Sequence, residues 1–296
     1  MKPCARSQGK GIFLFKKIRD IEAWKSSYLE PRKDNIENYV VSKYISNPYL
    51  LGKIKFDLRL YVLVTSFKPL VCWFYRDGFA RFSNYEYDKK SIEKPFVHLT
   101  NVAIQKTSPD YDPDQGSKWN VASLRRYLTA KHSSSEVDLL FRKIDSIILT
   151  SLLSVQNLII QDRHCFELYG YDILISEPLN PWLIEINASP SMSPSSSEDF
   201  KLKSKLISET LDVLYTDIER ENIKRIGEFD LVWNDGPTPP SNSEFENFSF
   251  SFFRSVDLKQ DCLNYPYPDY DRKNPEKFVL SIPKLNSYIG FRTNKI

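Results

Sequence analysis

Three oxygen-bearing side chains in two strand-like stretches could bind a divalent metal ion. Residues 182–187 read Trp-Leu-Ile-Glu-Ile-Asn, and a strand would place Glu185 and Asn187 on one face because its side chains alternate. Asp172 lies in the preceding strand-like stretch, 170–175, and reaches the same patch if the two stretches form an antiparallel hairpin. Two carboxylates and an amide oxygen suit Mg²⁺, whereas the structural alternative is a buried acid paired with Lys or Arg. We favour the metal site because three such donors coincide.

A charged stripe leads into an apolar run in residues 55–64. Lys55, Asp57 and Arg59 occupy alternate positions, so a strand would carry all three on one face and apolar residues on the other. One interpretation is a solvent-facing strand with salt bridges. The other is a pocket for an anionic ligand, which the following Val-Leu-Val favours because it is too apolar for a peripheral edge.

Two short polar segments could contact a nucleotide. Residues 7–11 read Ser-Gln-Gly-Lys-Gly, and such glycines let backbone N–H groups approach phosphate oxygens, although an ordinary turn has the same composition. The second segment, residues 98–101, reads His-Leu-Thr-Asn, and we interpret His98 as a structural residue. Thr100 and Asn101 could hydrogen-bond a nucleotide or a metal-bound water.

Composition bounds the class of protein. The 296 residues are 41% hydrophobic and carry a net charge of +3, which excludes wholesale disorder and a strongly basic nucleic-acid-binding protein. No stretch approaches the roughly 20 apolar residues of a membrane-spanning helix. Residues 1–33 contain nine Lys or Arg and three Asp or Glu, which is either a solvated basic face or a surface that attracts phosphates or an acidic polymer.

Strand-like and helix-like stretches alternate over residues 1–215, whereas residues 216–296 read as a partly disordered C-terminal extension. Asp77-Gly78 predicts a hairpin turn between two of the strands. Mixed antiparallel strands with helices on their faces indicate the α+β class. We predict strands at 39–45, 55–65, 71–75, 79–83, 170–175 and 182–187, and helices at 16–25, from 120 onward, at 137–160 and at 202–214.

Five ordered blocks of sequence together resemble the tubulin tyrosine ligase-like family, over residues 1 to about 215. The blocks are Lys2-Pro3 with Gln8-Gly9-Lys10-Gly11-Ile12, residues 55–64, residues 98–101, Tyr171-Asp172 and residues 182–191. The resemblance implies an ATP-grasp-like α+β fold with a mixed or antiparallel sheet and flanking helices. It also implies that the N-terminal part of the family fold, which precedes the Lys2-Pro3 strand, is missing from this chain.

The same resemblance assigns roles to individual residues. Lys55, Asp57 and Arg59 would be catalytic, and Arg81 and Lys118 would hold free L-glutamate. The nucleotide would be bound by Lys2, Gln8, Gly9, Ser42, Lys43, Tyr44, Ile45, Lys55, Asp57, Thr100 and Asn101. The Mg²⁺ ligands would be Asp172, Glu185 and Asn187, the three residues that spacing also indicates.

The activity that the resemblance implies is ATP- and Mg²⁺-dependent polyglutamylation of tubulin. The enzyme would ligate glutamate to glutamate side chains of tubulin C-terminal tails through an acyl phosphate, in the cytoplasm, on the cytoskeleton, and at the basal body or axoneme of a cilium or flagellum. Its partners would be microtubules and free L-glutamate, with no nucleic acid and no membrane span. Two alternatives stay open: an inactive truncated ligase that binds microtubules or serves in a complex, and a tubulin glycylase.

Overall fold

The structure, a computed structural model, describes residues 1–4, 6–28, 38–109, 118–162, 164–215, 223–236 and 238. Helices and a large antiparallel sheet occur together, which confirms the α+β class. The elements are β1 (Lys2–Pro3), α1 (Ile18–Tyr28), β2 (Tyr39–Val40), β3 (Leu50–Leu51), β4 (Ile54–Phe67), β5 (Leu70–Glu86), α2 (Pro95–His98), α3 (Val102–Gln105), β6 (Lys118–Asn120), α4 (Val121–Lys131), α5 (Ser134–Val155), β7 (Glu167–Ser176), β8 (Asn180–Asn187), α6 (Ser197–Tyr215), β9 (Arg225–Ile226) and β10 (Phe229–Asn234).

Strand β4 is central to the sheet. The strand order is β8-β7-β4-β5-β10-β9, with β3 also pairing with β4 and β6 with β5. Strands β4 and β7 are antiparallel, and their register sets Arg59 opposite Asp172 and Leu60 opposite Tyr171. Paired residues of an antiparallel ladder point to the same face, so this register decides which side chains meet. Strands β1 and β2 form a separate small sheet.

The chain divides into two compact units. The first contains Met1–Asp57, Ala80–Trp119 and Leu174–Asn180, and the second contains Leu58–Phe79, Asn120–Ile173 and Pro181–Ile296. Lys55, Asp57 and Arg81 lie in the first unit, whereas Arg59, Asp172, Glu185 and Asn187 lie in the second.

Two long helices cover the sheet of the second unit. Helix α5 begins with a capping box between Ser133 and Glu136, and its buried apolar residues recur at helical spacing. Its Ser151 hydroxyl lies 2.8 Å from the Tyr171 hydroxyl of β7. Helix α6 contributes Leu206 and Val213 to a core with Tyr61, Leu63, Trp73, Tyr75 and Phe229. Since Tyr61 lies on the face of β4 that carries Arg59, α6 packs on that face and α5 on the opposite one.

The predicted hairpin at Asp77-Gly78 is wrong, because β5 continues through both residues without a turn. A Cβ atom at position 78 would lie 2.3 Å from the Arg59 carbonyl oxygen, so the glycine permits close approach of β5 to β4. The Asp77 carboxylate accepts hydrogen bonds from the backbone N–H of Gly78 at 2.8 Å and of Val121, the first residue of α4, at 3.1 Å. Gly78 therefore allows β5 to pack closely on β4, and Asp77 binds the first residue of α4.

Other elements differ from the predictions mainly in extent. The predicted strand 39–45 is regular only at Tyr39–Val40, and the first helix runs over Ile18–Tyr28. Helix α4 begins after Asn120, which caps it because its side chain accepts from the Ser123 N–H. Strands β9 and β10 lie in the segment that was predicted to be an extension, and β10 extends the sheet alongside β5. Most of that segment, including residues 239–296, lies outside the described residues.

Asp145 is a buried acid in the core, and its replacement by Asn should stabilise the protein at neutral pH. Burial raises the pKa of Asp145 well above its usual value, against the opposing effect of Arg125 and Arg142, and Asp230 raises it further. The folded state therefore keeps a proton that the unfolded chain releases near pH 4, and stability falls as pH rises between those two pKa values. We expect Asp145→Asn to unfold with a free energy about 1–2 kcal/mol higher than wild type at pH 7.

Urea unfolding from pH 4 to pH 8 tests this expectation, because the advantage of Asp145→Asn should shrink toward pH 4. Asp212→Asn, at an exposed position of α6, is the control and should leave the pH profile unchanged. Parallel profiles of wild type and Asp145→Asn would contradict the prediction.

Candidate active site

The first unit holds a buried lysine within the predicted nucleotide site. Lys55 is 6% exposed, and its Nζ donates to the His98 carbonyl oxygen at 2.6 Å and to the Tyr44 hydroxyl at 3.3 Å. Burial lowers the pKa of Lys55 to about 8, and the Asp57 carboxylate opposes that shift. A lysine with this pKa is largely charged at neutral pH and has lost most of its hydration, which strengthens its attraction for a phosphate.

The structure brings Gly9 and Asn101 together in this unit. Gly9 lies in a turn with φ of +75°, and a Cβ at this position would be 2.2 Å from Ile104 Cδ1 and 3.9 Å from Asn101 Cγ. Gln8, also at positive φ, precedes it, and Thr100 is buried beside Asn101 along the chain. The predicted phosphate loop is thus a turn, and it packs against the segment that contains the predicted Thr-Asn pair.

The remaining predicted nucleotide residues are more exposed. Lys2 is half-buried in β1, where it pairs with Val40. Ser42 and Lys43 are exposed, and Ile45 is half-buried in a segment without regular structure. Nothing in these positions distinguishes an adenine-binding segment from an ordinary connection, so their role stays a prediction.

Arg81, predicted to hold free glutamate, is paired with a carboxylate in the structure. Its Nε donates to Asp57 Oδ1 at 2.8 Å and its NH2 group to Asp57 Oδ2 at 2.5 Å, and both residues are buried. Such a two-bond pair fixes the planes of both groups. The rings of Phe82 and Trp119 pack 5.3 Å apart across β5 and β6. Strand alternation therefore places Lys118 on the face of the sheet that carries Arg81.

The second unit holds the three predicted metal ligands. Asp172 is 2% exposed and accepts from Arg59 Nε at 2.6 Å and from Arg59 NH2 at 3.3 Å. The Asn187 amide nitrogen donates to the Gly170 carbonyl oxygen at 3.2 Å and lies 3.4 Å from Glu185 Oε1. Glu185 and Asn187 thus meet each other beside β7, two residues from Asp172 along that strand.

The structure supports the structural alternative for the buried acid, and the metal site stays a prediction. Asp172 is paired with an arginine, as the structural alternative requires, and the pair is buried rather than facing solvent. Each carboxylate oxygen has two lone pairs, so an oxygen that accepts from Arg59 can still coordinate a cation. Among the described residues, no three His, Cys, Asp or Glu side chains form a cluster able to hold a metal. Two carboxylates and one amide oxygen suit Mg²⁺, which usually keeps several waters and shares phosphate oxygens.

Gly170 is a residue of this cluster that the sequence analysis missed. A Cβ at position 170 would lie 2.8 Å from Pro190 Cβ and 3.2 Å from Arg59 Cδ. Gly170 thus leaves room for the Arg59 side chain to pass over β7 to Asp172. Its signal in the sequence is a glycine inside a strand pattern, which often marks close approach of other atoms.

Replacing Gly170 by Ala should therefore destabilise the protein by about 3 kcal/mol, because the new methyl group must displace Arg59 or Pro190. Equilibrium urea unfolding measures the change. Gly52→Ala is the matched control: no atom of the described residues lies within 4 Å of its Cβ position, and its φ of +53° is unfavourable for alanine. That strain costs about 1 kcal/mol. A loss for Gly170→Ala no larger than the loss for Gly52→Ala would show that the cluster does not need the open space.

Comparison with known proteins places the chain in a family. The profile of the tubulin-tyrosine ligase family matches residues 1–224. The chain belongs to this family, which confirms the resemblance seen in the sequence and makes it a member of a family of ligases. Within the described residues, no helix has the length and apolarity needed to cross a membrane.

Its relatives include enzymes named for tubulin polyglutamylation. The chain is 51% identical over 269 residues to "Probable tubulin polyglutamylase TTLL9" of Bos taurus, a match that covers 80% of this chain and 58% of the relative. It is 51% identical over 239 residues to "Probable tubulin polyglutamylase ttll-9" of Caenorhabditis elegans, covering 78% of this chain and 55% of the relative. It is 46% identical over 233 residues to "Probable alpha-tubulin polyglutamylase Ttll1" of Tetrahymena thermophila, covering 77% and 56%. The chain thus spans somewhat more than half the length of these relatives.

Proposed function

We propose that this chain is the catalytic part of an ATP- and Mg²⁺-dependent ligase that adds glutamate to glutamate side chains of tubulin C-terminal tails. One observation carries the proposal: residues 1–224 match a ligase family, and relatives with about 50% identity are named tubulin polyglutamylases. The two clusters supply residues of the types that this reaction needs, namely buried cations for phosphate and carboxylate groups and oxygen donors for a metal ion.

The reaction has two steps. The γ-phosphoryl group of ATP transfers to a side-chain carboxylate of tubulin, which forms an acyl phosphate and ADP. The amine of free glutamate then attacks the acyl carbon, so that an amide bond forms and phosphate leaves. The chain needs no nucleophile of its own, and its contribution is to position the reactants and to stabilise charge.

Within this scheme, the residues of the first unit bind the nucleotide and the amino acid. Lys55 contacts phosphate oxygens, and Lys2, Gln8, Gly9, Thr100 and Asn101 complete the phosphate site, with residues 42–45 at the adenine. Asp57 orients Arg81, which together with Lys118 holds the carboxylates of free glutamate. Because Arg81 already has a carboxylate partner, it presents its remaining N–H groups in a fixed direction.

In the second unit, Asp172, Glu185 and Asn187 would hold Mg²⁺, which would supply positive charge that neutralises negative oxygens when bound. Arg59 acts here as a positioning residue, since it fixes the plane of the Asp172 carboxylate. The exposed basic residues near the N-terminus, among them Arg6, Lys10 and Lys16, would attract acidic tubulin tails. The protein would then act at microtubules, in the cytoplasm and at ciliary or flagellar basal bodies and axonemes.

Incorporation of radiolabelled glutamate into purified tubulin, with ATP and Mg²⁺, tests the proposal. We expect glutamate to be incorporated and unlabelled glycine to compete poorly, because Arg81 and Lys118 favour an amino acid with a second carboxylate. Lys118→Ala should weaken this preference, and Lys106→Ala, on the exposed turn after α3, should not. Incorporation of glycine instead of glutamate would favour a glycylase, and incorporation of neither amino acid would overturn the proposal.

A further inference from the structure

His98 and Tyr44 form a hydrogen-bonded chain that ends at the Lys55 ammonium. The Tyr44 hydroxyl lies 2.9 Å from His98 Nδ1 and accepts from Lys55 Nζ at 3.3 Å. The ammonium also lies 5.0 Å from the centre of the Tyr44 ring. One phenol therefore contacts the lysine through both its oxygen and its ring, and the same phenol is held by the histidine.

The hydrogen bonds of His98 define which of its nitrogens carries the proton. Nε2 lies 3.0 Å from the Ser91 carbonyl oxygen, which can only accept, so Nε2 is the donor. In the neutral ring Nδ1 is then an acceptor for the hydroxyl proton of Tyr44, for which the Tyr87 oxygen is a second acceptor. With its proton directed at His98, the Tyr44 oxygen turns its lone pairs toward Lys55.

The surroundings keep this arrangement in its neutral form. Burial lowers the pKa of His98, the nearby Lys55 lowers it further, and the Ser91 carbonyl, Asp88 and Glu93 act in the opposite direction. Burial and the neighbouring Tyr87 hydroxyl raise the pKa of Tyr44, so this phenol stays protonated. The rings of Tyr44 and Tyr87 pack edge-on against the His98 ring at 5.6 and 5.8 Å. The imidazole is thus held in one orientation by two rings and two hydrogen bonds.

We propose that His98 and Tyr44 are positioning residues that hold the Lys55 ammonium for phosphate binding, and that protonation of His98 disrupts this hold. The inference rests on the proposed function, because it takes Lys55 to contact the nucleotide. A protonated His98 donates from both nitrogens, so the Tyr44 hydroxyl proton must turn away from Nδ1. The lone pairs of the phenol oxygen are then shared with His98, which weakens the hydrogen bond that holds the Lys55 ammonium. Nucleotide affinity therefore falls in acid.

The test is the affinity of the full 296-residue chain for ATP, with excess Mg²⁺, measured by calorimetry from pH 5.5 to pH 7.5. Tyr44→Phe keeps the ring and removes the hydroxyl, and it should bind ATP about tenfold more weakly than wild type at pH 7.5. His98→Asn keeps an acceptor near the position of Nδ1 but cannot titrate. It should bind within about threefold of wild type at pH 7.5 and lose less affinity toward pH 5.5. Protonation of ATP itself affects all variants equally, so the difference between their pH profiles is diagnostic.

Tyr85→Phe is the matched control, since it removes another tyrosine hydroxyl of the same unit, one that lies 2.7 Å from the Ser108 hydroxyl. It should bind as wild type does. If Lys55→Met binds ATP normally, the proposed nucleotide site itself is wrong. If Lys55→Met binds weakly while Tyr44→Phe equals wild type, or His98→Asn keeps the wild-type pH profile, only the positioning role is overturned. Thermal unfolding of each variant shows whether weak binding reflects loss of fold, and the pH profile of His98→Asn supplies a measure that does not depend on Tyr44→Phe.

Discussion

Replacing Glu185 by Gln should lower the incorporation of glutamate into tubulin by at least about 100-fold, the usual effect of removing one group that stabilises charge in an active site. The amide has nearly the shape of the carboxylate, and the neighbouring Asn187 amide lies only 3.4 Å from Glu185 Oε1, so packing should be preserved. The substitution removes one of the two negative charges among the three proposed metal ligands, Asp172, Glu185 and Asn187. Initial rates at several Mg²⁺ concentrations measure the effect, and the variant should need more Mg²⁺ for half of its maximal rate.

Glu198→Gln is the control for this experiment. Glu198 is an exposed acid in the first turn of α6, with a loose ion pair to Lys201 at 3.8 Å, and its neutralisation should leave the rate unchanged. Equal rates for wild type and Glu185→Gln would remove Glu185 from the metal site. If both variants lose activity to the same degree, the effect would be one of general surface charge.

Replacing Arg81 by Met should reduce the free energy of unfolding by about 3–5 kcal/mol, the usual cost of removing one partner of a buried ion pair. The loss arises because Asp57 stays buried without the two hydrogen bonds that it now accepts. Urea unfolding measures it. The double variant Arg81→Met/Asp57→Leu should recover much of the lost stability, since it leaves neither charge unpaired.

Arg126→Met provides the matched arginine control. Arg126 is exposed on α4 and donates to the Ser123 hydroxyl at 3.1 Å, so its loss should cost less than about 0.5 kcal/mol. If Arg81→Met unfolds as wild type does and only weakens glutamate binding, the pair with Asp57 contributes little to stability and Arg81 serves the substrate alone.

The sequence predicts well those elements in which apolar residues mark one face over a long stretch. Helix α5 has apolar residues at helical spacing along its length, and β4 alternates before it becomes fully apolar, so each pattern indicates both the element and its buried face. Strand β10 was missed because it is short and its place in the sheet depends on pairing with β5, including the ring contact between Phe229 and Tyr75. The hairpin at Asp77-Gly78 was predicted wrongly because Gly and Asp serve tertiary contacts there that no local pattern shows.

For the candidate site, the sequence predicts the residue types and not their partners. Glu185 and Asn187 are two residues apart, so their meeting follows from alternation alone. Arg59 and Asp172 are 113 positions apart, and Arg81 and Asp57 are 24 apart, so those pairs depend on strand register. His98 was predicted to be structural because a lone histidine carries no local signal. Its contact with Lys55 is made through its backbone oxygen, which any residue type would provide.

The alternation along β4 also restricts how this strand can change in evolution. Lys55, Asp57 and Arg59 lie on one face of the strand. Phe56, Leu58 and Leu60 lie on the other face and are fully or almost fully buried. Inserting or deleting one residue within this stretch would move every following side chain to the opposite face of the strand. Charged side chains would then point into the apolar core. Length variation among descendants of this gene should therefore be confined to the flanking loops, or occur within β4 only in steps of two residues.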